Sequence, residues 1–568
     1  MPQLRHVVVP FLGLVFAYGC SAGGEKEDLT TKLDPDTGVK DGGGVDAPSG
    51  FDVGDAEVSD PSFGEPRTCE QAAEWKSYVG CEFWPTVTPN PVWSIFDFAV
   101  IVANAGVDEA NVTLTGPGGV NKSAKVPPGQ LSKIYLPWVK ELKGKDSGEP
   151  DSAAPNCTYV PEPAAQPSVL AKKSAFKLVS SRPVTVYQFN ALEYAPKGGP
   201  VGKDWSTCPG NQYCSATLGP AGCFSYTNDA SLLLPAHAMT GTYRVTGLPS
   251  FSAMGRPTSG SFVAVTATQD KTSVTIKIGK NGKILGGVGV PGADANGVSS
   301  AMLDAGDVVL FKAEPTSETD LTGALVQADK PVQVVSGVPC TFMPHDKAAC
   351  DHVEESVFPA ETLGKTYVVA PPTAPDGKLY GHVVRLVGNV DGTTLTYGGT
   401  TPPGAPTRLD AGEVVDLGVV TEPFVVTGSS ELAVVTSMLA GNIVDPSTKE
   451  NDRRGDPSQS LVAAAEQFRR KYVFLAPDDY DVSYADVVAK KDVVVTVDGK
   501  GLEPATGKPI GATGWVVYRV TLGDGKNGAH TLSAPQPVGL QIMGYGKYTS
   551  YQYPGGLDLA RIAPPPPR

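Results

Sequence analysis

The sequence predicts an all-β fold made of four tandem β-sandwich-like modules, and three observations predict it. The chain has 65 glycines and 51 prolines but only 19% charged residues, which suits many short strands joined by tight turns. Apolar and polar residues alternate in segments such as SFVAVTATQDKTSVTIKIG, which begins at Ser261. The same succession of segments also recurs along the chain, as in proteins built from internal repeats.

Each predicted module contains three anchor segments in the same order. The first is a strand opened by an aromatic residue, as in GTYRVTGLP, KTYVVAPPT and RKYVFLAPD. The second is a leucine–glycine turn into a strand, as in LDAGDVVLF and LDAGEVVDL, with VPPGQLSKIYL as a looser version. The third closes the module, as in GALVQADKPVQVVSG and PFVVTGSSELAVVTSM. Each module then has about seven short strands separated by DG, AG and NG turns.

The repeats place four modules at residues 69–226, 227–340, 341–455 and 456–556, the first with a disulfide-rich insertion. Alternating strands need one buried face, so two sheets that cover each other form the simplest module. Closure of the modules into a ring or propeller is the alternative, which periodicity does not distinguish from a linear stack. One short helix is predicted at 457–471, where apolar residues follow a serine-rich start at helical spacing.

The N-terminus, residues 1–19, is typical of a secretory signal peptide because its apolar run is too short to span a bilayer. Gly19 precedes Cys20, as in a bacterial lipobox, whose cysteine is lipidated. Ala17 and Tyr18 depart from the commoner lipobox residues, and an ordinary secretory signal is the alternative. We therefore expect a secreted chain that is lipid-anchored at the bacterial cell envelope, on the outer membrane or cell surface.

The segment after Cys20, up to residue 68, is rich in Gly, Asp, Pro and Glu and predicts a disordered acidic tether. Residues 557–568 form a short proline-rich tail. The formal net charge of −14 argues against a nucleic-acid partner and against a basic membrane-binding face. Contact with a membrane is therefore expected only through the lipid anchor.

Eight cysteines remain once Cys20 is set aside, an even number that fits disulfides in an oxidising compartment. Cys69–Cys81 and Cys340–Cys350 are the expected local pairs. The sequence leaves the pairing of the other four open: Cys157, Cys208, Cys214 and Cys223.

The stretch CTFMPHDKAACDHVEESVFP, from Cys340 to Pro359, holds two cysteines, two histidines and four acidic residues. The ten-residue spacing of its cysteines is not that of a zinc finger or ribbon, so a disulfide is the expected pairing. Calcium is a better metal candidate, because this stretch and PDDYDVSYAD, from Pro477, carry oxygen ligands. Neither has EF-hand spacing. We predict no cofactor, with Ca²⁺ as the alternative.

Two aromatic clusters are candidate binding surfaces, since exposed aromatic side chains grip sugars or protein partners. Their alternative role is to fill the core. The clusters are Trp75, Trp84 and Trp93 near the start of the body, and Tyr545, Tyr548, Tyr551 and Tyr553 near its end.

Catalytic patterns are weak. His237, His382 and His530 each stand alone in or beside apolar strand sequence, where a structural histidine is the usual finding. No nucleophile elbow, phosphate-binding loop or dinucleotide fingerprint occurs. The sequence therefore predicts a protein that is not an enzyme, with a secreted hydrolase of polysaccharide or peptide as the remaining alternative.

One composite motif consists of a closing PVxVxSG, a cysteine, a short spacer, C-[DN]-H-x-x-E, a proline and an aromatic strand. The pattern falls on Pro331, Val332, Val334, Ser336, Gly337, Cys340, Cys350, Asp351, His352, Glu355, Pro359 and Tyr367. On these residues the chain resembles the IgGFc-binding protein N-terminal domain family, as a bacterial lipoprotein member. The resemblance implies no catalytic residues. It implies a structural turn in which His352 and Glu355 bond across to backbone.

The family is named for binding the Fc part of immunoglobulin G, an activity of its animal member. We therefore predict an adhesion or recognition protein that binds a surface protein or glycan. A structural component of the envelope or extracellular matrix is the alternative. Exposure of the aromatic clusters would favour binding.

Overall fold

The computed structural model of the chain describes residues 65–146, 166–192, 228–253, 256–347, 350–523 and 528–566. The predicted signal peptide, Cys20 and most of the predicted acidic tether lie outside the described residues. So do four cysteines of the disulfide prediction: Cys157, Cys208, Cys214 and Cys223.

The described chain is mostly β-strand, with three short helices, α1 Cys69–Trp75, α2 Lys140–Lys143 and α3 Gly441–Val444. The first module and the segment after it contain β1 Gly80–Phe83, β2 Phe98–Ala103, β3 Ala110–Gly116, β4 Val120–Val126, β5 Leu131–Leu136, β6 Val169–Ala171, β7 Lys177–Phe189 and β8 Ala230–Leu232. The second contains β9 Thr242–Arg244, β10 Phe251–Ala253, β11 Arg256–Ser259, β12 Phe262–Ala267, β13 Thr272–Lys277, β14 Val298–Leu303, β15 Val308–Lys312, β16 Leu325–Ala328, β17 Val332–Thr341 and β18 Asp351–Ser356.

The third module contains β19 Thr366–Val369, β20 His382–Gly388, β21 Thr393–Gly399, β22 Arg408–Leu409, β23 Val414–Val420, β24 Phe424–Gly428, β25 Leu432–Ser437 and β26 Gln459–Leu461. The fourth contains β27 Arg469–Leu475, β28 Val482–Lys490, β29 Thr496–Val497, β30 Lys500–Gly501, β31 Lys508–Pro509, β32 Trp515–Leu522, β33 Ala529–Gly546 and β34 Thr549–Pro554.

All four modules have the same antiparallel topology of two facing sheets. In the second module the sheets run β14-β13-β16-β9 and β15-β12-β17-β18, and in the third β22-β21-β24-β19 and β23-β20-β25-β26. The first and fourth modules follow the same order, but β7 and β33 are long enough to take part in both sheets. The predicted β-sandwich modules are therefore confirmed.

A tyrosine anchors the opening strand of the second, third and fourth modules. The hydroxyl of Tyr243 donates to the carbonyl oxygen of Val332 (2.6 Å) and accepts from the N–H of Thr240 (3.1 Å). Tyr367 and Tyr472 make the equivalent two bonds in their own modules. The tyrosine that marks each of these repeats thus ties the opening strand to a strand of the facing sheet, which is β17, β25 or β33.

Replacing Tyr243 with Phe is expected to lower the free energy of unfolding by about 2 kcal/mol, because two buried backbone groups lose their partner. Chemical denaturation measures this loss. Tyr397→Phe is the control: the Tyr397 hydroxyl donates to Pro406 (2.7 Å) from a half-buried position, so its loss costs less. Equal losses in both variants would contradict the anchoring role.

The connectors between modules belong to the module that precedes them. β8, β18 and β26 pair with β7, β17 and β25, and β34 pairs with β33. We call β8, β18, β26 and β34 the closing strands. The predicted boundaries at 227, 341 and 456 therefore fall before the closing strand rather than after it, because each connector completes a sheet before it enters the next module.

The predicted helix at 457–471 is wrong. This segment forms β26, a 3₁₀ turn at Ala465–Gln467 and the start of β27. The N–H of Val462 donates to the carbonyl oxygen of Val434 (3.0 Å), so a partner from another strand replaces the bond a helix would make. Pairing with β25 overrides the local helical pattern.

The four modules close into a ring, which was the alternative arrangement. Around the centre, β8 contacts β18, β18 contacts β26, β26 contacts β34, and β34 contacts β8. Modules 4 and 1 also meet where the hydroxyl of Tyr78 donates to the carbonyl oxygen of Val473 (3.2 Å), and Lys133 lies 2.6 Å from Asp478 and 2.5 Å from Asp479. The sequence left the arrangement of the modules open, and these contacts give a closed ring rather than a linear stack.

Both predicted terminal segments are partly packed on the ring. Thr68, at the end of the predicted tether, caps α1 by accepting from the N–H of Gln71 (3.2 Å). In the predicted tail, Leu557 and Leu559 are buried, and Asp558 forms an ion pair with Arg469. These segments cover the closure between the first and fourth modules, where apolar surface would otherwise face water.

Candidate functional site

The closing strands meet in a buried polar junction, the hub, defined by residues 228–232, 351–356, 456–461 and 549–554. Most side chains there are buried, polar ones included. A buried polar group is costly unless it is hydrogen-bonded. The partners of the hub carboxylates therefore show what this site does.

Asp229 joins three modules through one buried carboxylate. Its Oδ1 accepts from the Ala230 N–H (2.8 Å) and from the Ser458 hydroxyl (2.6 Å). Its Oδ2 accepts from the N–H groups of Glu354 and Gln459, both at 3.0 Å. Ala230, Glu354 and Gln459 lie on the closing strands of modules 1, 2 and 3.

Glu354 connects the second module back to the first. Its Oε1 accepts from the Gln188 amide (2.9 Å) and the Ser231 hydroxyl (2.9 Å), and its Oε2 accepts from the Thr88 hydroxyl (2.5 Å). All of these residues are buried. The carboxylate thereby holds three parts of the first module against β18: the segment at Thr88, strand β7 and strand β8.

The three residues of the family motif lie together on β18, but their contacts differ. Glu355 accepts from the backbone N–H of Leu232 (3.2 Å), across the module boundary, as the resemblance implied. His352 instead approaches side chains: its Nε2 lies 3.4 Å from Glu354 Oε2 and 3.5 Å from Thr88 Oγ1. The ring of His352 also stacks on Phe262, with centroids 6.2 Å apart. The predicted backbone bond of His352 is therefore replaced by side-chain contacts.

Burial dominates the electrostatics of the remaining hub acids. It raises the pKa of Asp351 well above its usual range, and the nearby Asp456 and Asp229 raise it further, while backbone N–H groups of His352 and Asn228 oppose the shift. Burial also raises the pKa values of Glu355, Asp456 and Asp229. Burial therefore favours the neutral form of Asp351, Glu355 and Asp456, whereas four donated hydrogen bonds favour the carboxylate of Asp229 against the effect of burial.

Two disulfides secure the entry to the hub and the start of the body. Cys340 is bonded to Cys350 with Cα atoms 5.1 Å apart, joining the end of β17 to the residue before β18. Cys69 is bonded to Cys81, with Cα atoms 5.7 Å apart, joining α1 to β1. The cysteine–histidine stretch is thus a clipped turn that leads into the central closing strand of the second module.

The tyrosine cluster is not an exposed surface, and that prediction is wrong. Tyr545, Tyr551 and Tyr553 are fully buried, and Tyr548 is partly buried. The ring of Tyr553 packs 4.7 Å from that of Tyr187 in the first module. These tyrosines are buried because the ring of modules closes on them.

The tryptophan cluster is also largely core. Trp84 and Trp93 are each 5% exposed, and Trp75 is half-buried. Trp84 donates its ring N–H to Glu82 (3.1 Å), while Trp93 packs with Phe96 and Ala191. Neither cluster offers the aromatic face that a sugar or protein partner would require.

Metal-binding residues are not brought together in the described part of the chain, where no three His, Cys, Asp or Glu side chains are placed to hold an ion. Carboxylates of the predicted calcium segment are engaged elsewhere. Asp478 and Asp479 pair with Lys133, and Asp486 pairs with Arg519 at 2.6 Å. They stabilise contacts between strands and modules.

The lone histidines occupy structural positions. Burial and nearby Arg519 lower the pKa of His382 to about 3, and burial lowers the pKa of His237 to about 4. His530 is buried with its Nδ1 2.7 Å from Asp498. His237 and His382 are therefore neutral at physiological pH, and no serine, base and acid converge on any of these three rings among the contacts of the described residues.

Sequence reasoning missed Asp229 and Glu354, the two best-connected hub acids. Asp229 lies in the segment NDASLLLP, which matches none of the sequence motifs described above. The available signal was the acidic residue at the start of each of three corresponding connectors: NDAS, CDHV and GDPS.

No helix among the described residues is long and apolar enough to cross a membrane.

The chain is similar in sequence to one family of known proteins. The family model described as IgGFc binding protein matches residues 229–544, from the hub acid Asp229 through β33. The human IgGFc-binding protein is 25% identical over 353 residues, which are 60% of this chain and 6% of the human protein. No solved structure matches the chain significantly. Because the family model spans more than half of the sequence, the chain belongs to the IgGFc-binding protein family.

Proposed function

We propose that this chain is a cell-surface recognition protein that binds a protein or glycan partner and catalyses no reaction. The family match, which covers three of the four closing strands and most of modules 2 to 4, carries the proposal. The motif acids and His352 are occupied inside the hub, so the scaffold serves to hold the modules in fixed positions. A partner would be met by the outer surface of the ring.

The proposal includes display at the bacterial envelope. Lipidation of Cys20 would anchor the chain, and the acidic segment that follows would hold the ring away from the membrane. Such a layout lets a rigid recognition body reach a partner beyond the surface polymer. Secretion and surface exposure are also consistent with the disulfides of the ring.

Binding of the full chain to immobilised IgG Fc, to envelope proteins and to extracellular polysaccharide of the source organism tests the proposal. Saturable binding to one protein or glycan is the expected result. Fc is the probe suggested by the human relative's name, which describes that relative. Absence of saturable binding in every arm, with a correctly folded chain, would contradict the recognition role.

The His352→Ala variant distinguishes a structural role of His352 in the hub from a role in partner binding. We expect it to lower the melting temperature, because a fully buried ring that stacks on Phe262 is lost and a cavity forms. Partner affinity at temperatures well below melting should stay unchanged. Loss of binding with an unchanged melting temperature would instead place His352 in a binding site.

A structural role in the envelope is the second candidate. The burial of both aromatic clusters favours it, since exposed aromatics were the sequence feature that pointed to recognition. Deletion of the protein would then alter envelope integrity even though no discrete partner binds. A deletion strain lacks the protein, whereas a strain with the His352→Ala variant carries a less stable form of it. Comparing the two strains shows whether envelope integrity depends on the presence of the protein or on its stability.

A further inference from the structure

Among the strands that the structure describes on the outer side of the ring, β14 of the second module presents an unprotected sheet edge. On the side of each sandwich away from the hub, the two sheets end in a pair of strands. These rim strands are β4 and β5 in module 1, β14 and β15 in module 2, β22 and β23 in module 3, and β30 and β32 in module 4. An open edge can pair with another chain, so natural proteins usually cover, shorten or charge it.

Seven of the eight rim strands carry such a device. β15 and β32 are covered by β6 and β31, while β22 and β30 are two residues long. β4 carries Lys122 and Lys125, and Lys133 of β5 is held by two aspartates of module 4. β23 carries Asp416 and faces a bulge in its pairing with β20.

β14 has none of these features. Its six residues, VSSAML, carry no charge, and among the described residues it pairs with β13 alone. Val298 is 54% exposed and Met302 is 58% exposed, with the exposed Ser300 between them. The edge strand is therefore six residues long, uncharged and apolar at two of its three exposed positions. A strand with these features can accept another strand.

The hydrogen-bond register shows which backbone groups are free to pair. The N–H of Ile278 donates to the carbonyl oxygen of Gly297 (3.0 Å) at the start of the β13–β14 ladder. Bonded pairs alternate along an antiparallel ladder, so Val298, Ser300 and Met302 direct their backbone groups away from β13. The same three residues carry the exposed side chains.

This arrangement is self-complementary. If two copies of β14 pair antiparallel about a two-fold axis at Ser300, Val298 of each copy faces Met302 of the other. All outward-directed backbone groups then meet one another, forming about six hydrogen bonds. The two four-stranded sheets become one continuous sheet. No like charges oppose each other along the strand, although each copy carries a net charge of −14.

We propose that β14 is a dimerisation edge through which two copies of this chain join antiparallel about Ser300. The inference is independent of the partner proposed above, because it rests only on strand topology, charge and exposure. A dimer would present two recognition rings from one assembly and raise the avidity of any surface partner.

Disulfide trapping on the exported full chain tests the proposed axis. Ser300→Cys places two sulfurs at a site where paired strands bring Cα atoms about 5.5 Å apart, within disulfide reach. We expect a dimer on a non-reducing gel that reductant removes. Ser123→Cys, at the exposed centre of β4 in module 1, is the matched control and should stay monomeric.

A charge substitution tests the same edge without a crosslink. Ser300→Lys sets two lysines opposite each other and should weaken dimerisation by at least about tenfold in analytical ultracentrifugation. Ser123→Lys should leave it unchanged, and both variants should keep the wild-type melting temperature because both serines are exposed. A wild-type chain that is monomeric throughout, or a dimer that Ser300→Lys leaves intact, overturns the proposal.

Discussion

Replacing Asp229 with Ala is expected to lower the free energy of unfolding by about 4 kcal/mol or more. Three backbone N–H groups and the hydroxyl of Ser458 lose their buried acceptor at once. Each buried donor left without a partner costs about 1–3 kcal/mol, and the cavity adds to the loss. Chemical denaturation followed by tryptophan fluorescence measures the effect, with reduced yield of folded protein as its cellular counterpart.

Ser458→Ala is the matched control for Asp229→Ala. It removes one of the four donors and leaves the carboxylate with the other three, so we expect a loss of about 1 kcal/mol. A similar loss in both variants would mean that the carboxylate does not tie the modules together. A second control, Asp346→Ala on an exposed loop of the same region, should have almost no effect.

The position of Asp229 has a consequence for how the ring unfolds. One apolar core extends from Tyr187 of the first module through Val435 of the third to Tyr553 of the fourth. The second and third modules also have cores of their own, but this shared core and the hub cross the module boundaries and tie the modules to one another. We infer that the described part of the chain unfolds cooperatively, unlike a string of independent sandwiches.

The sandwich modules could be predicted because their signals are local. The apolar run of β12, the alternation of apolar and polar residues in β13 and the aromatic start of the later modules are all visible within a few residues of sequence. Tyr243 and its counterparts also act within one module, so their repetition was visible as a pattern of letters. The Cys340–Cys350 pair was likewise readable from its short spacing and an oxidising compartment.

Ring closure and the hub could not be predicted because their contacts span the chain. Asp229 and Ser458 are 229 residues apart, and Tyr78 and Val473 are 395 residues apart. Alternation in β34 correctly indicated a strand, but it cannot say that a distant module covers the outward face. Because sequence does not show what covers this face, its tyrosines were predicted to form a binding surface. In the structure they pack between the fourth module and the first.

Asp351→Asn is expected to stabilise the protein at neutral pH, although it alters a residue of the family motif. Burial and two neighbouring acids raise the pKa of Asp351 in the folded state. The folded chain then retains a proton that the unfolded chain releases above its ordinary carboxyl pKa. Stability is therefore fully present below that ordinary value and declines as pH rises towards the raised one, by about 1.4 kcal/mol per pH unit for one group.

An asparagine keeps the shape of the neutral acid without this proton dependence. We expect Asp351→Asn to exceed the wild type in unfolding free energy at pH 7, with the difference shrinking as the pH falls towards the ordinary carboxyl pKa. Asp346→Asn, on the exposed loop before the disulfide, is the control and should show no such gain. A variant that is less stable than the wild type at pH 7 would mean that the hub holds Asp351 as a carboxylate.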